Sequence, residues 1–171
     1  MDDYDELLLK CIQRKQNASI KSAEIIADYN QLEPDKKSQI LSDTDFEIFF
    51  IALSGNHVEA EEMWQLLEVE QRASALKYHT AIFHKLCKLG ALRPVEFFYS
   101  ILDAPGKRQA IESLNYLGFS NAVEEQHKAV VMFLLKVMSP AQQSSAIQAE
   151  ECKAFKMAAN RGELGLCRTL Y

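Results

Sequence analysis

Glycine and proline are scarce in this chain, 6 and 4 of 171 residues, which favours helices over loops and sheets. No stretch alternates polar and apolar residues between hairpin turn signals, so strands are not required. No apolar run approaches a membrane span, and the start MDDYDE is acidic where a signal peptide is basic. The glycines are isolated as turns, so no glycine-rich phosphate loop is present. Basic charge is outweighed, 19 Lys and Arg against 24 Asp and Glu, for a net −5, which argues against a general nucleic-acid binder. The cysteines Cys11, Cys87, Cys152 and Cys167 show no paired spacing; reduced, core-packed thiols in a cytoplasmic setting are expected.

What is present is a period. Tyr29, Trp64, Tyr99, Leu135 and Tyr171 follow one another at steps of 35, 35, 36 and 36 residues. Three residues after these rungs come Leu32, Leu67, Leu102 and Met138; four before them come Ile25, Ala60, Val95, Val131 and Cys167. Directly before them come Met63, Phe98, Leu134 and Leu170, although the first copy has Asp28. Relative positions −4, −1, 0 and +3 share one face of a helix. An earlier helix in each unit is marked by Ile48, Phe83, Phe119 and Phe155, with Ile51, Leu86, Ala122 and Ala158 three residues on and Ala52, Cys87, Val123 and Ala159 four on. Gly55, Gly90, Gln126 and Gly162 stand between the two helices, and glycine in three of the four copies is a helix stop signal.

A third, shorter helix is expected after each rung, in LEPDKKSQIL, LEVEQRASAL, LDAPGKRQAI and MSPAQQSSAI. Ser139 before Pro140 makes a good N-cap and first helical position. The leading helix of the first copy is irregular: its apolar residues Leu7, Leu8, Leu9, Cys11 and Ile12 are displaced by about one turn, as a terminal cap would be. The expected fold is therefore all-α, an α-solenoid in one domain over 1–171 with a cap at about 3–41. Repeats follow at about 44–78, 79–115 and 116–149, and an incomplete one at 150–171. Because the last unit lacks its third helix, the natural protein is expected to continue beyond Tyr171.

The segment AFKMAANRGELGLCRTLY, Ala154–Tyr171, resembles the helix–turn–helix of an ankyrin repeat in its Ala158–Ala159 pair, Gly162, Leu164 and Leu170. Phe49–Leu67 and Phe83–Leu102 are looser copies. The Thr-Pro-Leu-His signature of that family is absent from every copy, and short helices stand where its hairpin loops would be. This helix-linked form is similar to repeats in some secreted effectors of intracellular bacteria. That resemblance implies a host-protein partner and, for an effector, secretion into the host-cell cytoplasm. A tetratricopeptide- or HEAT-like solenoid and a non-repetitive helical bundle are the alternative folds.

Positions that vary between copies beside the conserved stripe mark a candidate partner-binding face. They form three rows: Phe49, His84, Ser120 and Lys156; Phe50, Lys85, Asn121 and Met157; Leu53, Lys88, Glu124 and Asn160. For any one of these residues taken singly a solvated helix face is the better explanation, and Phe49 and Phe50 fit burial under the cap; the face gains only from the rows being collective. His84 and Cys87 have a chelating spacing, but Cys87 occupies the small apolar slot of the first helix and no second ligand pair is visible. The doublets Glu61–Glu62, Glu124–Glu125 and Glu150–Glu151 mostly fall at expected helix starts, where carboxylates meet the positive end of the dipole. Lys36–Lys37 and Lys107–Arg108 read as solvated edges.

Protein–protein interaction, with no catalytic residue, metal or cofactor, is the expected function, and a monomer the expected state. The partner is expected to be a protein, without nucleic-acid binding or membrane insertion. The competing expectations are a repeat region of a larger enzyme whose catalytic domain lies beyond residue 171, and an adaptor that homodimerises through the exposed end of the stack.

Overall fold

Local signals for helix starts are met one by one along the chain. Ser139 caps the helix that begins at Pro140: its Oγ accepts from the Gln142 amide at 3.3 Å while Gln142 Oε1 accepts from the Ser139 amide at 2.9 Å. Asp103 caps the helix that begins at Ala104, accepting from the Gly106 amide at 2.8 Å. Glu33 precedes Pro34 at another start. The computed structural model describes residues 3–16, 21–55, 59–163, 165, 167 and 168. Leu164, Leu170 and Tyr171, the last rung included, lie outside them, as do the side chains of Glu150 and Glu151.

Among the described residues the protein is all-α, with eleven helices, a 3-10 turn at Leu76–Tyr78 and no strand. The helices are α1 Asp3–Gln16, α2 Ser22–Gln31, α3 Pro34–Asp43, α4 Glu47–Ser54, α5 Glu59–Leu66 and α6 Val69–Ala75. After the 3-10 turn come α7 His79–Leu89, α8 Leu92–Ile101, α9 Ala104–Glu124, α10 Lys128–Val137 and α11 Pro140–Asn160. None of them is long and apolar enough to cross a membrane. The chain divides into two compact units, Met1–Lys77 and Tyr78–Tyr171.

In the first unit α1 packs on α2 and α3, and α4 packs on α2, α3 and α5. Among the described side chains of α1 only Leu7 and Cys11 are buried, one turn apart; Leu9 and Ile12 are exposed. Lys10 holds α1 to α2 through Asp28 at 2.7 Å and Glu24 at 3.5 Å, and its pKa is raised chiefly by the hydrogen bond to Asp28. In the second unit α7 and α11 both pack on α9, and α8 and α10 pack on each other. Phe83, Phe98 and Phe119 lie in its core, each worth roughly 1.5–3 kcal/mol of burial.

The rungs are not equally covered. Tyr29 and Trp64 are buried, whereas Tyr99 and Leu135 are half-buried. The residue three positions later, Leu32, Leu67, Leu102 or Met138, is buried every time. In three of these four the chain leaves the helix there in an extended conformation: Leu32, Leu102 and Met138 have ψ of 146°, 144° and 141°.

A second contact sits eight residues after each rung. Lys37 lies 5.5 Å over the Tyr29 ring and donates to the Asn30 carbonyl at 3.3 Å. Arg72 lies 5.5 Å over Trp64 and donates to the Trp64 and Gln65 carbonyls at 3.2 and 3.4 Å. Lys107 lies 5.5 Å over Tyr99. Gln143, opposite the non-aromatic Leu135, donates to the Leu135 and Met138 carbonyls at 2.7 and 3.3 Å. The last carbonyls of a helix have no partner within it, and a cation is favoured at the negative end of the dipole. The third helix thus supplies what the preceding helix end lacks, and Lys37 and Lys107 are ring contacts rather than solvated edges.

Left-handed backbone marks the chain reversals. Gly90 ends α7 at φ 74° and Gly162 follows α11 at φ 72°, but Gln126 adopts φ 64° without being glycine, while Gly55 has an ordinary φ of −82°. Glycine is required at Gly90, because a Cβ there would lie 2.2 Å from the His127 ring, whose Nε2 is 2.9 Å from the Lys88 carbonyl. Positive φ also occurs at Asp45 and Phe46 between α3 and α4, at Leu114, Asn115 and Tyr116 within α9, and at Cys152 within α11. Asp45, Tyr116 and Cys152 each stand three residues before a leading position of the first helix. Left-handed backbone costs a non-glycine residue roughly 1–2 kcal/mol, so the triple at Leu114–Tyr116, which interrupts α9, is held by its surroundings.

Removing Arg72 deletes a ring contact and two hydrogen bonds to helix-terminal carbonyls at once. Arg72→Ala is expected to lower stability by about 1–2 kcal/mol, read as a lower urea midpoint with an unchanged m-value. A midpoint equal to that of the native protein would show that the reach-back contributes nothing.

Candidate functional site

Burial sorts the three variable rows. Phe49, Leu53, His84 and Ser120 are buried, at 0, 1, 5 and 4% exposure, and are out of reach of a partner in this conformation. Phe50, Asn121, Glu124 and Met157 are half-buried. Lys85, Lys88, Lys156 and Asn160 are exposed. The row beside the core stripe is therefore largely core in its first three copies, because Phe49 packs its ring 5.7 Å from Trp64 and His84 turns inward. Phe50 lies against Phe49 at 5.3 Å, which accounts for its partial burial.

Within the second unit the reachable members sit on α7 and on the C-terminal ends of α9 and α11. Lys85, Lys88 and Lys156 bring positive charge to helices of a chain whose net charge is −5. Arg161 donates to the main-chain carbonyl of Glu124, which leaves that carboxylate's own oxygens out of the contact. The surface these side chains offer is polar, with the Lys stems able to cover apolar neighbours while their ammonium groups stay in water.

His84 carries the most distinctive chemistry of the rows. Its Nε2 lies 2.9 Å from Ser113 Oγ, its ring also makes a hydrogen bond to the Ala110 carbonyl, and its own carbonyl accepts from Asn121 Nδ2 at 3.4 Å. A carbonyl only accepts, so the ring N–H is assigned to Ala110 and Nε2 accepts from the serine hydroxyl. Burial pushes the imidazole below its ordinary pKa, more than the Ala110 carbonyl raises it. A serine–histidine contact of this kind resembles an activated nucleophile. Here, however, the histidine's orienting group is a neutral main-chain carbonyl rather than a carboxylate, and the ring is a weak base.

Cys87, three residues on, is fully buried, and burial pushes its thiol up to about 12. Cys87 Sγ and His84 Cδ2 both lie 3.4 Å from where a Cβ on Gly118 would stand, so the two side chains face the same tight helix–helix approach. With the thiol protonated and Nε2 engaged by Ser113, the pair is not disposed to chelate. Among the described residues no group of three or more metal-ligating side chains occurs.

Two features escaped the reading of the sequence. The reach-back residues Lys37, Arg72, Lys107 and Gln143 stand at the same steps as the rungs, so their alignment was a usable signal. Ser113 had none: it and His84 are 29 positions apart, and nothing local in the sequence links them. No known family model, curated protein or solved structure matches the chain.

The thiols differ enough to be told apart chemically. Brief alkylation with iodoacetamide at pH 8 is expected to modify the half-buried Cys152 and Cys167 and to spare Cys11 and Cys87 until denaturant is added. Peptide mass mapping reads the result. Labelling of Cys87 in the native protein as fast as Cys167 would remove it from the core.

Proposed function

We propose that the chain is a protein-interaction module, an α-solenoid of ankyrin-like units of about 35 residues. It binds a protein partner through the exposed positions of its first helices. The observation that carries this reading is the recurrence of one local device in four successive copies. A buried apolar residue closes each second helix, and a side chain eight residues past the rung reaches back to the helix end or its ring. Units of that kind cannot bury their apolar faces alone and do so by stacking on neighbours, which leaves the free face for recognition.

In the second unit that face consists of Lys85, Lys88, Lys156 and Asn160, with Asn121, Glu124 and Met157 at its margin. Its three lysines suit a partner with an acidic surface, for which the charges would speed encounter and set orientation more than they add affinity. The resemblance to bacterial effector repeats makes a host protein the first partner to seek.

The test begins with cross-linked affinity capture from eukaryotic and bacterial lysates, followed by titration of the captured protein in purified form. Lys85→Glu combined with Lys88→Glu is expected to weaken that complex by about tenfold or more, equivalent to about 1.4 kcal/mol, with an unchanged melting temperature. Equal affinity of the native and reversed proteins would rule out this face. A saturable partner in neither lysate would count against the module itself.

A further inference from the structure

The Leu114–Tyr116 turn is the one place where α9 departs from helix, and His84 ties down both of its sides. The imidazole bonds to Ala110 before the turn and to Ser113 at its entry, and the His84 carbonyl receives Asn121 from beyond it. Ser113 is extended, with ψ 144°, and the next three residues are left-handed, with φ of 49°, 55° and 63°. None of those three is glycine, so the turn does not hold itself. Leu114 points outward, 71% exposed, and gives the turn no apolar anchor. The anchor is the histidine.

We propose that His84 and Ser113 form an acid-released latch: the neutral imidazole holds the Leu114–Tyr116 turn closed, and protonation opens it. The inference does not depend on the interaction reading. A charged ring at this site would be buried, at 5% exposure, without a counter-charge. On α7 its titratable neighbours are the buried, neutral thiol of Cys87 and the exposed Lys85 and Lys88, none of which is a counter-charge. From α8 comes Tyr99, whose ring packs 6.0 Å from Phe83 and whose hydroxyl burial keeps protonated. From α9 come Tyr116 and Glu112; the Glu112 carboxylate is exposed and accepts from Gln142 Nε2 at 2.8 Å. Opening the turn lets water reach the imidazolium and releases three residues from left-handed backbone.

The sign follows from linkage. Burial lowers the pKa of His84 in the closed state, while in the open state the ring titrates near its ordinary value of 6.5. The closed form keeps its full advantage above that value and loses it as pH falls toward the lowered one. At pH 5.5 an ordinary imidazole is about tenfold more protonated than neutral, so the open population should rise, by about tenfold at most.

Amide hydrogen exchange of the full chain at pH 7.5 and 5.5, expressed as protection factors, reads this directly. Protection of residues 114–117 is expected to fall in acid, by about tenfold at most, while Val130–Leu134 of α10 keep theirs. In His84→Gln the fall should vanish. Ser113→Ala, which leaves the core intact, should lower protection of the turn already at pH 7.5. Turn protection that does not change with pH, an equal fall in His84→Gln, a uniform fall that includes α10, or a Ser113→Ala turn as protected as the native one would each overturn the latch. If His84→Gln does not fold, Ser113→Ala together with a direct titration of the His84 ring decides, and a ring titrating at or above 6.5 refutes the proposal.

Discussion

A helix of ten residues is marginal in water, because its nucleation cost is spread over few hydrogen bonds and a large share of its backbone groups lie at the ends. Most helices here are of that length or shorter. Two things must therefore be supplied from outside: a place to bury the apolar stripe and partners for the terminal carbonyls. Both are met by the element that follows. A buried Leu or Met ends the second helix and turns the chain back, and the third helix then places Lys37, Arg72, Lys107 or Gln143 over the end just left. Where the rung is aromatic the reaching residue is cationic. Where it is Leu135, with no ring face to offer, the residue is an amide that donates to carbonyls alone.

Reversing direction between such short helices has a local cost, which appears as left-handed backbone in residues other than glycine. Gln126, Asp45, Phe46, Cys152 and the Leu114–Tyr116 triple all adopt it. Packing compensates differently at each place. Phe46 is buried beside its turn, while Leu114 is exposed and the restraint passes to His84 instead. The second unit thereby acquires a titratable group in a structural role, placed on the same helix as Lys85 and Lys88, two of the lysines proposed to meet a partner.

The helices, their order and most of their buried stripe were legible in the sequence. Apolar residues three and four apart identify a face by geometry, and Ser139, Asp103 and Gly90 mark ends by local hydrogen bonding and backbone freedom. The candidate face was less legible. His84, Ser120 and Leu53 vary between copies as surface residues do, yet they are buried, because the edge of a stripe widens or narrows with the neighbour that packs on it. Periodicity cannot report that width.

What the sequence by itself determined is the all-α character, the spacing of the helices and which side of each carries the apolar stripe, since these follow from chain geometry over a few residues. Only the tertiary structure decided that Lys37 and Lys107 cover rings, that Cys87 is sealed against Gly118, and that His84 meets Ser113 across 29 positions. Those outcomes depend on how closely one helix approaches another. That distance is set by all the side chains between them together, and no single stretch of sequence contains it.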